Sequence, residues 1–138
     1  MQVVSSTELL WLTWTVFMTA LFWLPYILNR IVERGVGPAL WDPQGRTGAN
    51  ANWAERMQRA HTNAVENLVI FVPLVLTLAV VGISSESTVL ACQVYFFARL
   101  AHFVLFTFGV PVLRILAFLV GFYAQMVLAV TLLKHLIN

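Results

Sequence analysis

Hydrophobic positions in this 138-residue chain gather into four blocks, Leu9 to Leu28, Leu68 to Ile83, Thr88 to Phe108 and Val112 to Leu133. A helix needs about 20 apolar residues to cross a hydrocarbon core about 30 Å thick. The first, third and fourth blocks meet that length. The second does so only if its helix starts near Trp53 and carries the polar stretch ERMQRAHTNAVEN with it. Nothing between the polar and apolar halves reads as a turn. In lipid a segment must satisfy its backbone internally, so the blocks predict helices rather than open sheet. The expected fold is all-α, an integral membrane four-helix bundle made by a single domain over residues 1–138.

Composition sharpens the class. Hydrophobic residues make up 60% of the chain and charged residues 10%, against about 25% charged in soluble domains. Mean hydropathy is +0.83. The start, MQVVSSTELL, carries no basic segment ahead of the first apolar run, so that run is expected to be a retained span. The single cysteine, Cys92, allows no intrachain disulfide. No metal site is expected, and a formal net charge of +2 does not imply nucleic acid.

The placement of charge matters more than its sum. Arg30, Arg34, Arg46, Arg56 and Arg59 lie in or beside the connection between the first two spans. Arg114 opens the fourth span, and Arg99 lies about two to three helical turns deeper in the third. Only Lys134 sits at the far end, so seven of the eight Lys and Arg residues share one half of the membrane. The positive-inside bias places the loop 35–52 and the turn near 109–111 on the cytoplasmic side and both termini opposite. The loop GVGPALWDPQGRTGANAN favours turns over helix, and FTFGVPVLR predicts a tight reversal at Gly109 and Pro111. Pro25 and Pro73 are expected to kink their helices, and Trp11, Trp14, Trp41 and Trp53 to anchor at the interfaces.

Candidate chemistry starts on the second helix. At about 100° per residue, Arg56, Arg59, Asn63, Glu66 and Asn67 fall within an arc of about 100°. Such a stripe faces a bundle interior or a wet cavity rather than lipid, and is a candidate site. His61 projects from the opposite side. Arg99 and His102 are neighbours on one face of the third span, with Phe106 continuing the line. Arg114, Phe118, Gly121 and Gln125 recur on the fourth at the spacing of a packed seam. Arg59, Arg99, His102 and Arg114 are expected to converge on the cytoplasmic side, with Asn63 and Glu66 beside them. Plainer roles stand next to these: Arg56 as a headgroup contact, Arg99 with Glu66 as a structural ion pair, His102 as a core histidine, Gln125 as glue between helices. Cations outnumber acids in the group, and an excess of desolvated guanidinium calls for an anion. The chemistry points to a small zwitterionic, polyanionic guest such as a peptide.

ERMQRAHTNAVEN with its apolar continuation, FARLAHFVLF and GVPVLR together resemble the MAPEG family, the membrane-associated proteins in eicosanoid and glutathione metabolism. The likeness runs over nearly the whole chain. It implies a homotrimer that binds glutathione as co-substrate between neighbouring subunits near the cytoplasmic face, with a lipophilic small molecule reaching the site from membrane lipid. Arg59, Asn63 and Glu66 match the family's glutathione contacts, and His102 falls where relatives carry His or Tyr. Arg114 matches the catalytic arginine placed near the sulfur. Arg30 or Arg34 would supply a further carboxylate clamp. Phe106 stands where synthases carry a tyrosine contact, Ile115 where the prostaglandin-forming branch has serine, and Phe118 where it has a nearby tyrosine, so prostaglandin isomerase chemistry is not expected. The resemblance implies a glutathione-dependent transferase or peroxidase. A non-catalytic glutathione- or anion-binding protein of the same fold is the alternative, and a small anion transporter a third reading.

Overall fold

The computed structural model describes residues 6–42 and 51–137. Arg46, counted in the basic loop, lies outside the described residues. Among these, six helices follow in order: α1 (Thr7–Leu21), α2 (Leu24–Arg34), α3 (Val36–Leu40), α4 (Asn52–Val80), α5 (Glu86–Thr107) and α6 (Pro111–Ile137). α1 with α2 forms one membrane-length segment, and α4, α5 and α6 form three more, so the chain has four helical segments long and apolar enough to span.

The first span differs from its expected form: it is two helices with a break, and it runs on past Leu28. Pro25 has no N–H, so the Leu21 carbonyl loses its donor four residues on. The chain closes α1 with the Phe22 N–H on the Thr19 carbonyl at 3.2 Å and restarts with the Ile27 N–H on the Trp23 carbonyl at 3.1 Å. Gly35, at φ 82, ends α2 by donating to the Ile31 carbonyl at 2.8 Å. The loop is corrected too, because VGPAL forms the short helix α3 rather than a plain turn. Pro38 sits in its first turn, where a missing N–H has no helical partner to lose.

α4 begins beside Trp53 as anticipated and runs unbroken through Pro73. Its 29 residues reach about 44 Å at about 1.5 Å per residue, enough for a polar entry and a full crossing. α5 starts with a reciprocal cap: Ser85 N–H donates to Thr88 Oγ1 at 2.9 Å and Thr88 N–H to Ser85 Oγ at 3.2 Å. It ends as expected at Gly109, whose φ of 74 suits a residue without Cβ. Gly109 N–H bonds the Phe106 carbonyl at 3.1 Å and Val110 N–H the Leu105 carbonyl at 2.9 Å, which closes the helix end. Pro111 then opens α6.

The interior is layered along the membrane normal. Towards the 81–86 turn, Leu12, Phe71, Val75, Leu78, Cys92, Tyr95, Ala124 and Leu128 form an apolar core. Towards Gly109, Phe22, Ala60, Ala64 and Phe103 form a smaller one. Between and beside them lies a polar layer of Asn63, Asn67, Arg99, His102 and Gln125. Beyond the larger core, Glu8 is 1% exposed and accepts hydrogen bonds from Thr88 Oγ1 at 2.6 Å and Ser84 Oγ at 3.0 Å. That contact ties α1 to the α4–α5 turn.

Candidate functional site

The polar stripe of α4 straddles the edge of the bundle. Asn63 and Asn67 are half-buried against α5 and α6, while Arg59 and Glu66 are exposed on the outer face beside Val65, Val69 and Ile70. The break falls there because Arg59 and Glu66 lie about 40–100° round the helix from Asn63 and Asn67, past the line where α5 covers it. Within one chain, then, the expected convergence is partial.

The part that does converge centres on Arg99, which is 2% exposed. Its Nη2 donates to Asn63 Oδ1 at 2.7 Å. This corrects the structural ion pair with Glu66: Asn63, nearly one turn earlier on α4, points inward, while the Glu66 carboxylate points out. The Arg99 guanidinium lies 5.8 Å from the centre of the Phe118 ring. Gly121 of α6 faces this group; a Cβ there would stand 3.4 Å from Arg99 Cδ, at the edge of ordinary contact.

His102, one turn on, is 5% exposed. Its ring sits between Phe106 and Phe118, with centroids at 5.6 and 6.0 Å. Arg114 covers the other face of this group, with its guanidinium carbon 4.7 Å from the Phe106 ring centre. Cation–π contacts of this kind hold about 0.5–2 kcal/mol. Arg99, His102 and Arg114 are thus linked through two phenylalanines rather than through carboxylates. Two buried polar atoms in the group, Arg99 Nε and His102 Nδ1, have no hydrogen-bond partner. Buried polar atoms are normally paired, so an unpaired set marks a place where a guest or ordered water completes the bonding.

A side-chain network supports the group from below. Asn67 Nδ2 donates to the Asn63 carbonyl at 2.8 Å, and Gln125 Nε2 to the Asn67 carbonyl at 3.0 Å. Gln125 therefore acts as glue between α6 and α4, as expected. From above, Arg56 Nε donates to the Thr107 carbonyl at 2.8 Å, which ties the start of α4 to the end of α5. Arg30 and Arg34 stand apart. α2 packs on α4, on the side where Tyr26 Oη meets His61 Nδ1 at 2.9 Å. His61 lies about 160° round α4 from Asn63, so α4 separates both arginines from Arg99 and Arg114 within the chain. Among the described residues no group of three or more His, Cys, Asp and Glu is placed to hold a metal.

Glu8 is not among the candidates the sequence pattern singles out, although an acid opening an apolar span is itself a signal of a buried partner. The Thr107 carbonyl leaves no mark in a sequence.

The site's elements can be set against known families. A model of the MAPEG family matches residues 9–134. No curated protein matches the chain. The match takes in all four spans and every side chain of the polar layer, and on that ground the chain belongs to the MAPEG family.

Proposed function

We propose that the protein is a membrane-bound glutathione-dependent transferase or peroxidase, which activates the glutathione thiolate against a lipophilic electrophile or hydroperoxide. One observation carries this reading. Arg99 and Arg114 lie in the half of the bundle towards Gly109, with His102 between them, and neither guanidinium meets a carboxylate among the described residues. Uncompensated cations in a desolvated place favour an anionic guest.

The chemistry needs only what such a group supplies. A free thiol with a pKa near 8.5 is only about 3% thiolate at pH 7. A guanidinium within hydrogen-bonding reach of the sulfur lowers that pKa, as cations do for cysteine thiols. A fall of about two units corresponds to about 2.7 kcal/mol in favour of the anion. The sulfur then displaces a leaving group from carbon, forming a C–S bond as halide departs, and the thiol proton passes to water. Arg114 is the group assigned to the sulfur, with Asn63 and His102 assigned to the peptide.

The same reading covers Arg59 and Glu66. An exposed arginine and glutamate at membrane depth are costly in lipid. A second and third copy of the chain would cover them, and would carry Arg30 or Arg34 of a neighbour towards the guest. We infer a homotrimer on this basis.

Titrating glutathione into detergent-solubilised protein tests the reading. Binding heat is expected for the wild type, with affinity at least about tenfold weaker for Arg59→Ala, since a hydrogen bond to a charged group contributes about 1.5–3 kcal/mol. Absent heat in both overturns it. Arg114→Ala should abolish conjugation of a generic aryl halide while sparing binding. A second reading, a non-catalytic glutathione or anion binder, is favoured by the Phe106 ring under Arg114, where a tyrosine hydroxyl would have faced the guest. Binding without conjugation by the wild type would select it.

A further inference from the structure

We infer that Arg99 is a positioning residue that fixes the orientation of the Asn63 carboxamide, so that the site offers only a donor there and selects a carbonyl or carboxylate oxygen of the guest. The inference rests on the glutathione reading and narrows what part of the tripeptide can meet Asn63.

Asparagine is two-faced: its oxygen accepts and its NH2 donates. Which face meets a guest depends on which is taken inside. A guanidinium can only donate, so the atom against Arg99 Nη2 at 2.7 Å must be the oxygen. Asn67 Nδ2 approaches the same Oδ1 at 3.5 Å. Nδ2 of Asn63 donates to no acceptor among the described residues. The inward half of the amide is therefore occupied, and the free half is all donor.

The amide cannot turn over. Flipping it would set NH2 against a guanidinium, two donors facing each other away from water, and leave the Arg99 donor unpaired. Nor can Arg99 swing aside. It is 2% exposed, its Cδ fills the space in front of Gly121, and its guanidinium lies against Phe118. On the other side the Asn63 backbone is held by Asn67, and Asn67 by Gln125. Three helices thus converge on the orientation of one side chain, which then discriminates acceptors from donors. A misplaced donor there would face a donor, the arrangement by which a polar site rejects a wrong group.

The test is a double-mutant cycle read by glutathione titration, using wild type, Asn63→Leu, Arg99→Met and the double variant, each first shown to melt cooperatively in detergent. If Arg99 acts through Asn63, each single change weakens binding about tenfold or more, and the double is no weaker than Asn63→Leu alone. Asn63→Asp adds a charge-specific readout: it keeps an oxygen for Arg99 but replaces the donor with an anion, and should weaken binding at least as much as Asn63→Leu. Arg99→Lys, which restores a donor, should recover part of the loss, and it takes the place of Arg99→Met in the cycle if that variant does not fold. Multiplicative losses in the double variant overturn the inference, as does wild-type affinity in Asn63→Asp. Heat in the wild type with multiplicative losses removes this inference alone. No heat in the wild type removes the glutathione reading and this inference with it.

Discussion

Single residues here act through groups that a sequence does not display. Arg56 is the clearest case. Its place at the membrane edge suggested a headgroup contact, yet its Nε bonds the Thr107 carbonyl at 2.8 Å, and Gly109 lies over it. A Cβ at position 109 would stand 3.3 Å from Arg56 Nε, on a backbone at φ 74. Gly109→Ala should therefore cost about 1–2 kcal/mol from the left-handed backbone alone, seen as a lower thermal midpoint in detergent. Arg56→Ala should lower the midpoint as well, and should reduce conjugation more than glutathione binding, because the turn it holds leads straight into the helix bearing Arg114. Glu8 is a second case, at the other end. Removing its carboxylate in Glu8→Ala leaves the Ser84 hydroxyl without its acceptor and Thr88 Oγ1 with only the Ser85 carbonyl, at a cost of about 1–3 kcal/mol. Glutathione heat should not change beyond what the lost stability explains. Arg99, His102 and Arg114 could be singled out in advance because ionisable residues in apolar spans are rare. Their partners could not be, since an amide oxygen and two phenylalanine faces are ordinary residues until packing brings them close.

Helices were legible as lengths and less so as boundaries. Four apolar runs forecast four spans, and the polar lead-in to the second span forecast the start of α4 near Trp53. Pro25, expected to kink the first span, breaks it into two helices, because the missing N–H is the one the Leu21 carbonyl would accept from. Pro73 produces no such break. Pro25→Ala restores a donor for the Leu21 carbonyl and should let α1 and α2 run as one helix. Spin labels at Thr13 and Val32 should then change their separation, with no change expected if packing rather than the proline sets the break. The stripe on α4 was read as one surface and is two. Periodicity places residues round a helix axis but does not say where the neighbouring helix stops, so Asn63 and Asn67 could not be separated from Arg59 and Glu66 by spacing alone.

At the scale of the whole molecule, the bundle is sealed at one end by Glu8 and carries its excess cations at the other. Large apolar side chains are exposed along every span, and Arg59 and Glu66 are exposed among them on α4. Light scattering on detergent-solubilised protein should give the mass of three chains, and Arg59→Leu with Glu66→Leu should change that mass if those side chains lie between copies. A monomer in the wild type would remove the trimer. Orientation can be read separately: in a Cys92→Ser background, Trp41→Cys should react with an impermeant thiol reagent only from the cytoplasmic face, as the arginine bias requires.

Membership of a membrane-spanning, all-helical class, the number of spans and the families of side chain available for chemistry were already settled by the order of residues, because hydrophobic length and the cost of charge in lipid act on each segment independently. Packing alone decided which of those side chains meet. Whether Arg99 pairs with an acid or an amide, that Arg56 reaches the end of α5, and which half of the α4 stripe turns inward all depend on how α5 and α6 sit against α4. That arrangement is a sum over contacts far apart in the chain, so no local pattern could carry it.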